Sequence, residues 1–371
     1  MNKKLLITST DLMMIQFLVP HVKNLSENGF DVEIACSDVG GRMDKVREKL
    51  NDYVKAIHTV RLVRSPVSTV NIKGYKDMKQ VVESGNYDII WTNEPVMGVV
   101  TRLASRKVRK KGTKVIYMVH GFHFYKGAPF FNWMMFYPIE KFAGHFCDSV
   151  VTINKEDYDR AQKMKLPDVK YIHGIGINTE RLSEHNDNNN IREELGLDEK
   201  DYIIISIGEL SKRKNQRTII KALSVLKNEN IHYILCGKGD KQNSLMKLSE
   251  ELGVSEKVHF LGYRMDVVDI CRQADVFVMP SYHEGLPVAA LEAMYCGTAI
   301  VASNIRGIVD IIEDGKNGYL CGPDDSNSFA DRIRILRENP DLIVKMVETN
   351  IVIVKDFCID SAKKEVLELF S

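Results

Sequence analysis

Glu284-Gly285-Leu286-Pro287-Val288-Ala289-Ala290-Leu291-Glu292 is the stretch whose reading decides the fold, with two carboxylates eight positions apart. Just before it, residues 274–281 (Ala-Asp-Val-Phe-Val-Met-Pro-Ser) form an apolar, β-rich run bounded by Pro and Ser, which reads as a buried strand. After it, Pro287 suits a first helical turn, and Ala289, Ala290, Leu291, Glu292 and Ala293 favour helix. The order strand, tight loop, helix puts Glu284 at the strand's carboxyl end. Glu292 follows about one and a half turns into the helix. Between them, the free N–H groups of the first turn form an anion site. Such a loop offers one carboxylate to hydroxyl groups, backbone donors to phosphate and a second carboxylate to a vicinal diol. That combination suits a nucleotide-sugar in the crevice where open α/β sheets bind ligands. Two glutamates alone say little in a chain with 50 acidic residues; their placement by Ser281, Gly285 and Pro287 carries the reading.

With 371 residues, 44% of them hydrophobic, the chain is long enough for about two domains with full cores. The net charge of +1 hides a split. Residues 1–174 hold 27 Lys and Arg against 18 Asp and Glu, a balance of +9, whereas residues 175–371 hold 24 against 32, a balance of −8. The basic half is expected to face an anionic partner. Nucleic acid is excluded as that partner because the candidate base-contacting elements lie in the acidic half. The seven cysteines show no CxxC spacing and no Cys/His cluster, so no metal site is expected. With an amino-terminal apolar run too short for export, they argue for a reducing cytoplasm. No stretch approaches the roughly 20 apolar residues of a membrane span.

Along the chain, strands are expected at 5–10, 31–37, 55–60, 88–92, 114–119 and 149–153. Helices between them include 42–50, 71–84 and 95–109. The pattern restarts after the glycines of 173–178 and the polar run Asn186-Asp187-Asn188-Asn189-Asn190. New strands follow at 202–207, 232–236, 258–261, 274–279, 299–302 and 318–320. This alternation predicts α/β architecture: two Rossmann-like doubly wound domains, 1–176 and 177–355, facing across a cleft. A last helix at 356–371 has Ala362, Val366, Leu369 and Phe370 on one face.

Further chemistry falls at strand ends. Gly208-Glu209-Leu210-Ser211-Lys212-Arg213-Lys214-Asn215 follows a strand, and its three consecutive cations suit a diphosphate. Gly262, Tyr263 and Arg264 follow another, where a ring or guanidinium plane would stack on a base. His120 and His123 follow the strand at 114–119, a position where histidines are commonly structural. Asn154, Lys155 and Glu156 end another first-domain strand, on the expected acceptor side.

These motifs, in this order over nearly the whole chain, resemble the retaining glycosyltransferases of GT-B fold, family 4. The nearest resemblance is to enzymes of bacterial capsular, exopolysaccharide and O-antigen assembly. The resemblance implies that Glu284 is the first glutamate of an E-x7-E pattern, by the donor sugar, and Glu292 the second, on the ribose hydroxyls. Gly285 and Leu286 match backbone contacts to sugar and diphosphate. Lys214 matches the lysine that neutralises the leaving group, and His120 the histidine beside the sugar. Two positions depart from the pattern. Glu209 stands where many relatives have arginine, a loss that Arg213 is placed to offset. Thr8-Ser9-Thr10-Asp11 stands where many have paired glycines. The resemblance also implies reaction on one face of the sugar, a last helix crossing back to the first domain, and no cofactor, the cations taking the place of a metal. The donor would be a nucleotide-sugar, chiefly a UDP-sugar, and the acceptor a polyprenyl-diphosphate-linked saccharide. Competing readings are a GT-B epimerase of nucleotide-sugars and a non-catalytic sugar-nucleotide-binding protein.

A membrane is the expected anionic partner. Arg102, Arg106, Lys107, Arg109, Lys110, Lys111 and Lys114 put seven cations in thirteen residues, and residues 122–137 hold eight aromatics in sixteen. Rings beside cations suit a membrane interface. The expectation is a cytoplasmic protein held peripherally on the inner face of the cell membrane through its first domain.

Overall fold

The computed structural model describes residues 2–38, 43–184 and 190–370. The chain forms two compact units, Met1–Gly176 with Ile359–Ser371, and Ile177–Cys358. Most of the polar run at 186–190 lies outside the described residues.

The first unit is built on β1 (Lys3–Asp11), β2 (Phe30–Ser37), β3 (Val54–Thr59), β4 (Ile89–Asn93), β5 (Lys114–Val119), β6 (Ser149–Thr152) and β7 (Val169–Tyr171). They make one parallel sheet in the order β3-β2-β1-β4-β5-β6-β7. β4 and β6 are buried along their whole length, as strands covered on both faces must be. The chain reverses its direction of winding between β1 and β4, and a ligand-binding crevice forms outside the carboxyl ends of strands at such a point. β7 has no counterpart among the expected strands. It is a half-buried edge of three residues, too short for a periodic signal.

The second unit repeats the plan with β8 (Tyr202–Ile207), β9 (Ile231–Cys236), β10 (Val258–Gly262), β11 (Val276–Met279), β12 (Ala299–Ser303) and β13 (Tyr319–Cys321). Their order is β10-β9-β8-β11-β12-β13, all parallel, and the reversal lies between β8 and β11. Both units are therefore Rossmann-like.

The last helix, Ile359–Glu368, packs in the first unit. Ala362, Val366, Leu369 and Phe370 are buried, and the Phe370 ring meets Trp91 at 5.5 Å. Glu365 bonds His173 Nδ1 at 2.7 Å. The second unit runs to Cys358, three residues beyond the expected end at 355.

The seven cations do not form one solvated patch. Arg102 lies on the inner side of the helix Pro95–Ala104 and is fully buried. It donates to Glu140 at 2.7 Å and covers the Tyr117 ring at 3.8 Å. Burying a guanidinium requires such a partner, and Glu140 on the helix Phe130–Ala143 supplies it. Arg109 is tied to Asp148 at 2.6 Å. Of the eight aromatics, Phe122 and Phe124 are core residues.

Candidate active site

The second unit gathers charge at the β8/β11 reversal. β11 stops at Met279, and Pro280, lacking an N–H, cannot continue the ladder. The chain then loops through Glu284 before the helix Val288–Tyr295. Glu284 is only 7% exposed. Its Oε1 accepts from Lys214 Nζ at 2.8 Å, and Arg213 Nη1 lies 3.1 Å from both carboxylate oxygens. Burial pushes the Glu284 carboxyl up. Lys214 and Arg213 outweigh that and hold it below its ordinary value. Arg306 Nε donates to the Glu284 carbonyl at 3.1 Å.

Backbone packing explains how the two loops meet. Gly237 has φ +156°, and a Cβ there would lie 1.8 Å from the Gly208 carbonyl oxygen, so only glycine lets the loop after β8 pass over the end of β9. Gly307, at φ +78°, likewise lets the chain approach the Gly285 carbonyl, 2.4 Å from where a Cβ would sit. Asn215 bolts the loops together. Its Nδ2 donates to the carbonyls of Pro280 at 3.1 Å and Pro323 at 2.8 Å. Tyr282 N donates to Arg213 O at 2.9 Å. Arg213 and Lys214 are thus fixed toward Glu284, whereas Lys212 is exposed on the loop and does not join them.

Glu292, on the helix after the loop, is half-buried and ion-paired with Arg181. Arg181 lies 111 residues earlier, in a short helix capped by Asn178. Gly285 and Leu286 span the turn between the two glutamates. Among the described residues, their N–H groups donate to no backbone carbonyl. Gly262 ends β10 at φ +66°, and Tyr263 is exposed beyond it. The Arg264 N–H edges are taken by Glu194 at 2.6 and 3.0 Å and Asp266 at 2.8 and 2.6 Å. Arg264 is therefore engaged within this edge, whereas the Tyr263 ring is exposed.

In the first unit, His120 follows β5 and its Nε2 donates to Asn93 Oδ1 at 3.0 Å. Burial lowers its pKa to about 4, so the ring is neutral at pH 7. Asn93 Nδ2 in turn reaches the Thr8 carbonyl at 3.3 Å. Beside it Glu94 is held at φ +65°, a costly conformation for a residue with a side chain. Its carboxylate accepts from Ser9 Oγ at 2.7 Å and Thr10 N at 2.8 Å, and burial raises its pKa. Ser9 and Thr10 of the Thr8–Asp11 segment thus hold Glu94. His123 is exposed and stacked on Phe136 at 4.6 Å. Asn154 caps the helix Lys155–Lys163. Sequence reasoning missed Arg181, Arg306 and Glu94. Only Glu94, next to Pro95 at a strand end, carried a local signal.

HepE of Anabaena, solved in complex with UDP and glucose, superimposes with a TM-score of 0.80 at 19% identity, covering 100% of this chain and 99% of that one. The fold is that of the GT-B glycosyltransferases. A model described as "Glycosyltransferase Family 4" matches residues 18–181, and one described as "Glycosyl transferases group 1" matches residues 187–351. EpsD of Bacillus subtilis, named as a glycosyltransferase, is 37% identical over 353 residues, 93% of this chain and 90% of the relative. The UDP-Gal:alpha-D-GlcNAc-diphosphoundecaprenol alpha-1,3-galactosyltransferase of Escherichia coli is 25% identical over 334 residues, 88% of this chain and 84% of the relative. The chain belongs to glycosyltransferase family 4.

Proposed function

We propose that the chain transfers a sugar from a UDP-sugar to a polyprenyl-diphosphate-linked saccharide, with retention, in surface-polysaccharide synthesis. The observation that carries this reading is the pairing of Lys214 and Arg213 on buried Glu284 at the β8/β11 reversal. Two cations await an anion there, and a carboxylate keeps them in place meanwhile. When a diphosphate takes the cations, Glu284 is released to the donor sugar's hydroxyls, and Glu292 exchanges Arg181 for the ribose diol. The bond from the anomeric carbon to the diphosphate oxygen breaks, and its electron pair goes to that oxygen, stabilised by Lys214 and Arg213. The acceptor hydroxyl bonds to the same face of the carbon, and its proton passes to the leaving phosphate. No metal ion is required, because the two cations carry the developing charge. UDP as the carrier and a lipid-linked acceptor are supported by the Escherichia coli relative's name, and UDP also by the complex of HepE.

We also infer attachment to an anionic membrane through the first unit. Phe130 (82% exposed), Phe131, Met134, Ile139 and Phe142 stand out from the helix Phe130–Ala143. Phe142 meets Phe146 at 5.2 Å, and Arg106 lies over Phe146 at 5.4 Å, so this row adjoins the cations at 106–111. No helix among the described residues is long and apolar enough to cross a membrane.

The test is to incubate the protein with single UDP-sugars and a synthetic undecaprenyl-diphosphate saccharide, in EDTA, and read the new anomeric centre by NMR. An α-linked product from an α-donor is expected. Inversion, or turnover that needs added magnesium, would refute the mechanism.

A further inference from the structure

The loop after β8 has a second side. Beside it lies a cavity of about 380 Å³, within the range of small-ligand sites, whose wall includes neither Arg213 nor Lys214. Its wall includes Lys212, Arg217, Lys241 and Lys247 against one carboxylate, Glu251. Lys241 and Lys247 are paired with Asp240 and Glu251, whereas no ion pair holds Lys212 or Arg217 among the described residues. Leu245, Leu248 and the Tyr282 ring supply apolar surface. None of Glu284, Glu292 or Tyr263 belongs to this cavity.

The same wall contains unpaired polar groups. Asn215 and Gln216 are 2% and 3% exposed, and Asn215 Oδ1, Gln216 Oε1 and Ser211 Oγ have no hydrogen-bond partner among the described residues. The amide orientations are fixed, because both NH2 groups already donate to carbonyls: Asn215 to Pro280 and Pro323, Gln216 to Glu209. Two carbonyl oxygens therefore face burial without a donor, which is costly. Cations for a phosphate, orphaned acceptors for hydroxyls and an apolar face for a ring together describe one kind of ligand.

The geometry points to a binding site for a small phosphorylated sugar, distinct from the donor site and acting on it. The orphaned oxygens are closed to solvent as the wall stands, so a hydroxyl that reaches them shifts the loop. That loop carries Arg213 and Lys214, and Asn215 and Tyr282 join it to the strand end before Glu284. Occupancy on one side thereby changes the cation geometry on the other, which is a coupling between two sites.

Calorimetric titration of the full chain with glucose 1-phosphate and glucose 6-phosphate, with UDP held saturating, tests this. At least one hexose phosphate should bind in the presence of UDP and change the turnover of sugar transfer at least twofold. Arg217→Glu combined with Lys247→Glu should weaken that binding at least tenfold and leave UDP affinity within twofold. Ser244→Trp, which fills the cavity without altering charge, should do the same. UDP binding measured alone reports on the donor site independently. The proposal falls if neither hexose phosphate binds, if UDP displaces it, if binding survives both variants, or if it leaves turnover unchanged.

Discussion

Replacing Lys214 with methionine keeps the aliphatic stem and removes one charge. In the resting protein, Lys214 Nζ is 2.8 Å from Glu284 Oε1, with Arg213 3.1 Å from both oxygens. The carboxylate therefore keeps a partner in the variant. The cost in stability should be about 1–3 kcal/mol, as for one lost bond to a charged group, rather than the roughly 3–5 kcal/mol of an abandoned buried charge. Turnover should suffer more, because charge on the departing diphosphate grows only in the transition state. Losing one preorganised donor there costs about 10²–10³ in kcat, or about 2.7–4 kcal/mol. The pH dependence supplies a second readout. Against burial, Lys214 and Arg213 hold the Glu284 carboxyl below its ordinary value. A depressed native pKa gives stability that is present above the unfolded value and lost as pH falls. With Lys214 gone the carboxyl rises, so acid unfolding should begin at higher pH. The assay compares kcat, UDP affinity and melting temperature from pH 7 to 4. A kcat within threefold of wild type, in a variant of normal stability, would refute the placement of this cation on the leaving group.

Glu292→Ala should weaken UDP binding by about 1.5–3 kcal/mol, roughly tenfold to a hundredfold; equal affinity by calorimetry would end the ribose assignment. Deleting residues 359–371 uncovers Trp91 and breaks the His173–Glu365 pair, so a clear fall in melting temperature is expected, and an unchanged melt contradicts the packing argument. Burial lowers His21 and His120 from 6.5 to about 4. Across that window the unfolded chain binds more protons, so stability should drop as pH falls from about 6.5 to about 4. The drop should shrink in His120→Asn, and an identical pH profile would count against the buried neutral ring. Sedimentation with anionic liposomes should carry the protein down at low salt and release it at high salt. Binding that ignores lipid charge would rule out the cations as the contact, and binding that survives Phe130→Ser with Phe131→Ser would rule out the apolar row.

The alternation of apolar runs with helical periodicity was enough to read two doubly wound domains, because strands covered on both faces must be apolar throughout. Local order also placed Glu284, Lys214, Arg213 and His120 at carboxyl ends of strands, since each lies within a few residues of a strand that its own neighbours define. What periodicity could not supply was the partner of each group. Arg181 reaches Glu292 across 111 residues, and Arg306 reaches the Glu284 carbonyl from the segment after β12. Arg102 looked like one cation among seven, yet Glu140 lets it enter the core. Lys212 looked like one of three diphosphate ligands, yet it lines a cavity that includes neither Arg213 nor Lys214. Chain direction and burial are written into local pattern. Which charges neutralise one another depends on ångström-scale approach between segments distant in sequence, and only the folded backbone sets those distances.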